Sequence, residues 1–159
     1  MGVKMKEVTP PSRRNLVVIS LHIIWATWKR QPLLTPARER CAYRCITAEA
    51  QKLQATVLAL NGMPDHVHLV VLMPSSLSLA KLMNQIKGVS SHVLNQETST
   101  SGHFRWGNGY AAFSMSPHHR KVAIVYVQEQ KNHHADLSLK HDWEVVPEDT
   151  ETPPHQSAP

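Results

Sequence analysis

His66 and His68 stand two residues apart, with Val67 between them, at the head of an apolar run that continues to Leu72. Alternate side chains of a strand share a face, so the two imidazoles project side by side while Val67, Leu69 and Val71 point the other way. Two neutral imidazoles make half of a metal site, and they read equally as two polar residues on a partly open sheet face. The apolar flanks weigh toward a ligand, because paired imidazoles in such a strand are poorly hydrated without one.

A second group lies near the end of the chain. Val122, Tyr126 and Gln130 recur at a spacing of four, which puts them on one face of a helix, and His133 and His134 follow on the next turn. A tyrosine can act as a nucleophile, and a glutamine amide oxygen can ligate a metal. The same spacing also describes an amphipathic helix with a packed Tyr and an exposed Gln. Among the other histidines, His22 falls in an apolar run and reads as a core residue, His118 and His119 as exposed, and His133 and His134 as partners of phosphate or metal. The sequence has no phosphate-binding glycine loop, no nucleophile elbow and no Cys/His spacing of a structural zinc site.

These residues need a frame to bring them together. Leu16–Trp28 is β-branched and aromatic enough for a buried strand. Thr35-Pro36 opens a helix to about Leu53, with Thr as cap and Pro at the first position. Ala55–Leu60 and Val67–Leu72 form a hairpin whose turn is expected at Asn61-Gly62-Met63-Pro64. Ser78–Gln96 reads as a second helix, Tyr110–Met115 as a fourth strand, and Ser116-Pro117 opens a third helix through about His134. This order predicts an α+β fold: a ferredoxin-like split βαβ antiparallel sheet with an appended C-terminal helix bearing Tyr126.

The chain has 159 residues, 42% hydrophobic and 18% charged, which suits a single globular domain and excludes a disordered or collagen-like chain. Residues 1–15 read as a flexible arm, 16–135 as the domain, and 136–159 as an acidic, Pro-rich, disordered tail. All 17 Lys and Arg precede residue 141 against seven acids, whereas the five remaining acids follow it. A body that basic suggests a polyanionic partner. The tail is expected to be inert, so that removing residues 142–159 leaves affinity for that partner unchanged. No apolar run is long enough to span a membrane and no secretory signal is visible, so a cytoplasmic location is expected. Cys41 and Cys45, four apart in a helix, read as buried thiols rather than a disulfide.

Four stretches in order carry a family resemblance: His22-Ile23-Ile24-Trp25-Ala26-Thr27-Trp28-Lys29-Arg30-Gln31-Pro32; Asn61-Gly62-Met63-Pro64-Asp65-His66-Val67-His68; Phe104-Arg105-Trp106 with Gly109-Tyr110-Ala111-Ala112-Phe113-Ser114; and Tyr126-Val127-Gln128-Glu129-Gln130-Lys131-Asn132-His133-His134. Over roughly residues 16–135 the sequence resembles the single-tyrosine HUH transposases of insertion sequences and their REP-associated relatives. The resemblance implies that His66, His68 and Gln130 are metal ligands for Mg²⁺ or Mn²⁺ and that Tyr126 is the nucleophile. It implies a substrate of single-stranded DNA beside a hairpin, a 5′-phosphotyrosine intermediate, and a homodimer in which the tyrosine helix can serve the partner's histidines. Lys29, Arg30, Arg105, Trp106, Arg120 and Lys121 are candidates for phosphate contact or base stacking, with a solvated charge or a core Trp as the alternative. A domesticated or non-catalytic hairpin binder and a metal-dependent phosphoesterase are the competing functions.

Overall fold

The structure, a computed structural model, describes residues 15–97 and 102–149. Its elements run β1 (Ile19–Ala26), α1 (Pro36–Lys52), β2 (Thr56–Met63), β3 (His66–Met73), α2 (Leu79–Glu97), β4 (Ala111–Ser114), α3 (Pro117–Gln128) and α4 (Gln130–Asp136), with short 3₁₀ turns at Trp28–Arg30 and His141–Trp143. The four strands form one sheet in the order β2-β3-β1-β4, each pair antiparallel. This is the split βαβ arrangement expected from the sequence.

The period of two along the strands decides what each face does. Ile23 and Trp25 of β1 and Val67, Leu69 and Val71 of β3 pack with Leu82, Met83 and Ile86 of α2 and Ala42 and Ile46 of α1 into the main core. The alternate residues face the other way, where Ala59 and Val70 meet Ala123, Tyr126 and Val127 of α3 in a smaller cluster. His66 and His68 belong to this second face. The sheet thus hides its apolar side under α1 and α2 and presents its histidines to α3 and α4.

Helix starts follow the local signals. Thr35 accepts from the Arg38 amide with Pro36 at the first position, and Ser116 accepts from the His119 amide with Pro117 there. The expected third helix to His134 breaks at Glu129, which serves as C-cap of α3 and N-cap of α4. The first strand is shorter than Leu16–Trp28: it starts at Ile19, and Thr27 ends it in a lone bridge to Trp106 before Lys29 and Arg30 take positive φ.

The hairpin corrects a local expectation. Asn61-Gly62-Met63 is not the turn: these residues pair with His68, Val67 and His66, and the chain reverses at Pro64-Asp65. Gly62 is needed for close approach instead. A Cβ there would lie 2.2 Å from the His66 carbonyl oxygen and 2.9 Å from the Val67 Cα.

Candidate functional site

His66 and His68 lie on β3 at 1% and 0% exposure, side by side as the alternation requires. Each ring has its Nδ1 engaged. His66 Nδ1 meets Asp65 Oδ1 at 2.7 Å, and Asp65 is itself paired with Arg30 at 3.0 Å. His68 Nδ1 meets His22 Nε2 at 3.0 Å, across from β1. Both Nε2 atoms are left aimed at α3 and α4, buried and, among the described residues, without a hydrogen-bond partner.

Tyr126 and Gln130 approach from the opposite side, both buried despite the break at Glu129 between them. What joins the two halves is a residue outside the expected set. Glu144, just after the 3₁₀ turn at His141–Trp143, inserts its carboxylate between them. Its Oε1 accepts from the Tyr126 hydroxyl at 2.5 Å and from Gln130 Nε2 at 2.9 Å. Its Oε2 lies 3.3 Å from His66 Nε2, 3.4 Å from His68 Nε2 and 3.5 Å from His134 Nε2.

Trp143 and Lys140 complete the enclosure. Trp143 sets its ring edge-on to Tyr126 at 5.2 Å and to His22 at 5.3 Å. The Lys140 amide donates to the Tyr126 oxygen at 3.1 Å, and the His133 ring stacks on Tyr126 at 4.6 Å. Lys140, Trp143 and Glu144 therefore line the site, whereas the sequence placed them in a disordered tail over 136–159. Asp149 accepts from the Lys29 and Asn108 amides at 2.7 Å each, which fastens the far end of this segment. Residues 150–159 lie outside the described residues.

The electrostatics follow from burial and these contacts. Burial alone would raise the Glu144 carboxyl, yet the surrounding imidazoles, phenol and amide hold it far below the carboxylate range. Burial and then the Glu144 carboxylate push the Tyr126 phenol well above its ordinary value. Burial opposes the charging of His66, but Asp65 and Glu144 overcome it and raise the ring. His68 and His134 are lowered, chiefly by burial. His22 falls to about 3 through burial and then the neighbouring His68, so it is neutral.

The donor set fits a divalent cation. The Nε2 atoms of His66, His68 and His134 and Gln130 Oε1 are buried without hydrogen-bond partners among the described residues. The ligand atoms of His66, His134 and Glu144 lie within 4.8 Å of one another, and buried acceptors without partners are costly unless something electropositive sits among them. The lone pairs are free because the Nδ1 atoms of His66 and His68 carry the other contacts, as in metal-bound histidines.

The sequence matches the family model of IS200-like transposases over residues 15–130. The chain belongs to this family. Among solved structures, a Deinococcus radiodurans R1 protein assigned as a transposase superposes with a TM-score of 0.61 at 22% identity, covering 77% of this chain and 98% of that one. A REP-associated tyrosine transposase bound to a REP hairpin superposes with a TM-score of 0.60 at 13% identity, covering 83% and 78%. No curated protein matches.

In this IS200-like transposase the sequence-predicted residues divide into two groups. His66, His68, Tyr126 and Gln130 converge on one carboxylate. The basic candidates are spread around the site. Arg30 stands beside it on Asp65. The Arg105 guanidinium lies 3.5 Å over the Trp28 ring, and the Lys29 ammonium 5.7 Å from the same ring. Arg120 donates to Ser20 Oγ at 3.1 Å. Lys121 lines a groove of about 440 Å³ with Val122, Val125, Tyr126, His133 and Lys140.

Trp106 is a correction. It is 5% exposed, packs edge-on against Trp25 and Phe104, and donates its indole N–H to Ser90 Oγ at 2.9 Å. Its faces are spent on the core, so it has none to offer a base.

Sequence reasoning also missed Glu144, left His134 between phosphate and metal, and read His22 only as core. His134 was within reach, since it follows Gln130 by four and continues the Tyr126 face. Glu144 carried no local signal.

Proposed function

We propose that this transposase cleaves and rejoins single-stranded DNA beside a hairpin, through a covalent link between Tyr126 and a DNA 5′-phosphate. The observation that carries this reading is that an anionic group already sits where His66, His68, Gln130 and the Tyr126 hydroxyl converge. The site is shaped and polarised for an oxyanion in contact with a nucleophile. A scissile phosphate in place of the Glu144 carboxylate meets the same groups.

His66, His68 and Gln130 are the residues we assign to hold Mg²⁺ or Mn²⁺. When bound there, the ion would polarise the phosphorus and offset the charge that develops on the phosphate oxygens. The chain's own residues do the rest. Trp143 and His133 fix the Tyr126 ring so that its oxygen points at the anion. The phenol stays protonated in the Glu144-bound form, which keeps the nucleophile quiet until phosphate displaces the carboxylate. As the Tyr126 oxygen bonds to phosphorus, the bond to the 3′-oxygen breaks, the phenol proton leaves and the 3′-oxygen ends as a hydroxyl. The phosphodiester energy is kept in the tyrosyl ester, so a DNA 3′-hydroxyl can reverse the step on a new partner without a nucleotide cofactor.

The structurally similar REP-associated enzyme is bound to a REP hairpin, and the basic body here supports a DNA hairpin as this chain's partner too. Arg105 with Trp28, Lys29, Arg30, Arg120 and Lys121 are the contacts we assign to the DNA backbone and to stacking. A homodimer fits strand transfer, because joining two ends takes two tyrosines. We place the reaction in the cytoplasm; among the described residues no helix is long and apolar enough to cross a membrane.

The test is incubation of labelled single-stranded DNA, carrying a hairpin from the gene's own flanks, with Mg²⁺ or Mn²⁺, followed by denaturing electrophoresis. A metal-dependent protein–DNA adduct that disappears in Tyr126→Phe and His66→Ala is the expected result. Cleavage without adduct that survives Tyr126→Phe would assign hydrolysis instead. Binding without cleavage would leave a hairpin-binding module.

A further inference from the structure

Glu144 presents its two oxygens to different chemistry. Oε1 accepts from the Tyr126 hydroxyl and the Gln130 amide, whereas Oε2 faces three imidazole nitrogens. Had the carboxylate merely lodged against protonated rings, charge-assisted N–H···O contacts of about 2.7–2.9 Å would be expected. The observed separations are 3.3, 3.4 and 3.5 Å, and none of the three Nε2 atoms has a hydrogen-bond partner. Ligand atoms held at about 2.0–2.2 Å from one tetrahedral ion lie about 3.4 Å apart along each edge. The three contacts match that edge.

Building on the metal-site reading above, we propose that, with residues 137–149 docked, His134 and Glu144 join His66 in holding the ion in place of Gln130. The ligand atoms of these three residues lie within 4.8 Å of one another, so the chain then offers the ion two imidazoles and one carboxylate. That set selects a first-row transition ion such as Zn²⁺ or Mn²⁺ over Mg²⁺, which prefers oxygen donors and an octahedral shell with several waters. The supporting contacts are those of a built site. Asp65 orients His66, His22 orients His68, and Tyr126 with Gln130 fixes the carboxylate oxygen that does not ligate. The far end of the segment is anchored by Asp149 on the Lys29 and Asn108 amides, which keeps Glu144 in reach.

Calorimetric titration of the metal-stripped full chain with Zn²⁺, Mn²⁺ and Mg²⁺ tests this, together with the visible spectrum of the Co²⁺ form. The expected result is one ion per chain, Zn²⁺ and Mn²⁺ bound more tightly than Mg²⁺, and an intense four-coordinate Co²⁺ spectrum. Glu144→Gln and His134→Ala should each weaken Zn²⁺ binding at least about tenfold, since loss even of an outer-shell partner costs that much. Glu144→Gln should also convert the Co²⁺ spectrum to the weak six-coordinate type. Wild-type affinity and spectrum in both variants, with binding lost in His66→Ala, would overturn the inference while leaving the His66/His68 site standing. No binding by wild type at all would overturn the metal-site reading itself. Circular dichroism checks that each variant folds.

Discussion

His22 Nε2 and His68 Nδ1 lie 3.0 Å apart with both rings fully buried, stacked at 5.3 Å between centroids. For His68 Nε2 to offer its lone pair, His68 must carry its hydrogen on Nδ1 and donate it to His22. His22 then holds its own hydrogen on Nδ1, which has no partner. One unsatisfied buried donor is thus the cost of fixing the tautomer of the other ring. His22→Phe, which fills the space but accepts no hydrogen bond, should lower metal affinity about 10–100-fold with the protein still folded. Unchanged affinity in a metal titration would remove His22 from the site.

The same pair makes stability depend on acid. His22 is depressed to about 3 when folded and titrates near 6.5 when unfolded. Below about pH 6.5 the unfolded chain therefore takes up a proton that the folded chain refuses, and stability falls as pH drops until about pH 3. At most about 1.4 kcal/mol per pH unit comes from this group. Urea midpoints at pH 7, 6, 5 and 4 should decline more steeply for wild type than for His22→Phe.

Gly62→Ala should be severe. The new Cβ would meet the His66 carbonyl and the Val67 Cα, both backbone atoms of a central strand that cannot swing aside. A loss of about 3 kcal/mol or more is expected in denaturant unfolding, at the upper end of overpacking costs. Metal binding should weaken with it, because the strand must shift at His66 itself. A stable variant with intact binding would mean that β2 and β3 can separate locally.

Trp106 and Arg105 are neighbours with opposite predictions. Trp106→Ala empties a core position and should cost about 3–5 kcal/mol of stability. Arg105→Ala should leave the unfolding midpoint in place, lower affinity for single-stranded DNA and reduce the salt slope of binding by about one ion. Electrophoretic mobility shifts at several salt concentrations, beside thermal melts, separate the two effects.

What was legible in the sequence was periodic or local. His66 and His68 share a face because residues two apart on a strand must, and Val67, Leu69 and Val71 fill the other side for the same reason. Thr35-Pro36 and Ser116-Pro117 start helices because their caps are satisfied within three residues. Asn61-Gly62 misled because a turn signal was outweighed by pairing with β3, where a residue lacking Cβ was needed. Glu129 has neither Pro nor Gly beside it to announce the break between α3 and α4. Trp106 has the composition of a stacking residue, and only the bridge from Thr27 and the packing on Trp25 show that it points inward. Glu144 meets His66 and His68 across more than seventy positions, a distance over which no spacing rule operates.

Tyr126 reaches the carboxylate beside His66 and His68 of its own chain. On the proposed mechanism the groups for the first strand break meet within one polypeptide, and the rate of that break per chain should survive dilution. Mixing inactive Tyr126→Phe with inactive His66→Ala should restore nothing in this arrangement, whereas an exchange of tyrosine helices between two copies would rescue part of the activity. Complementation thus reads out, in a single assay, who owns the nucleophile.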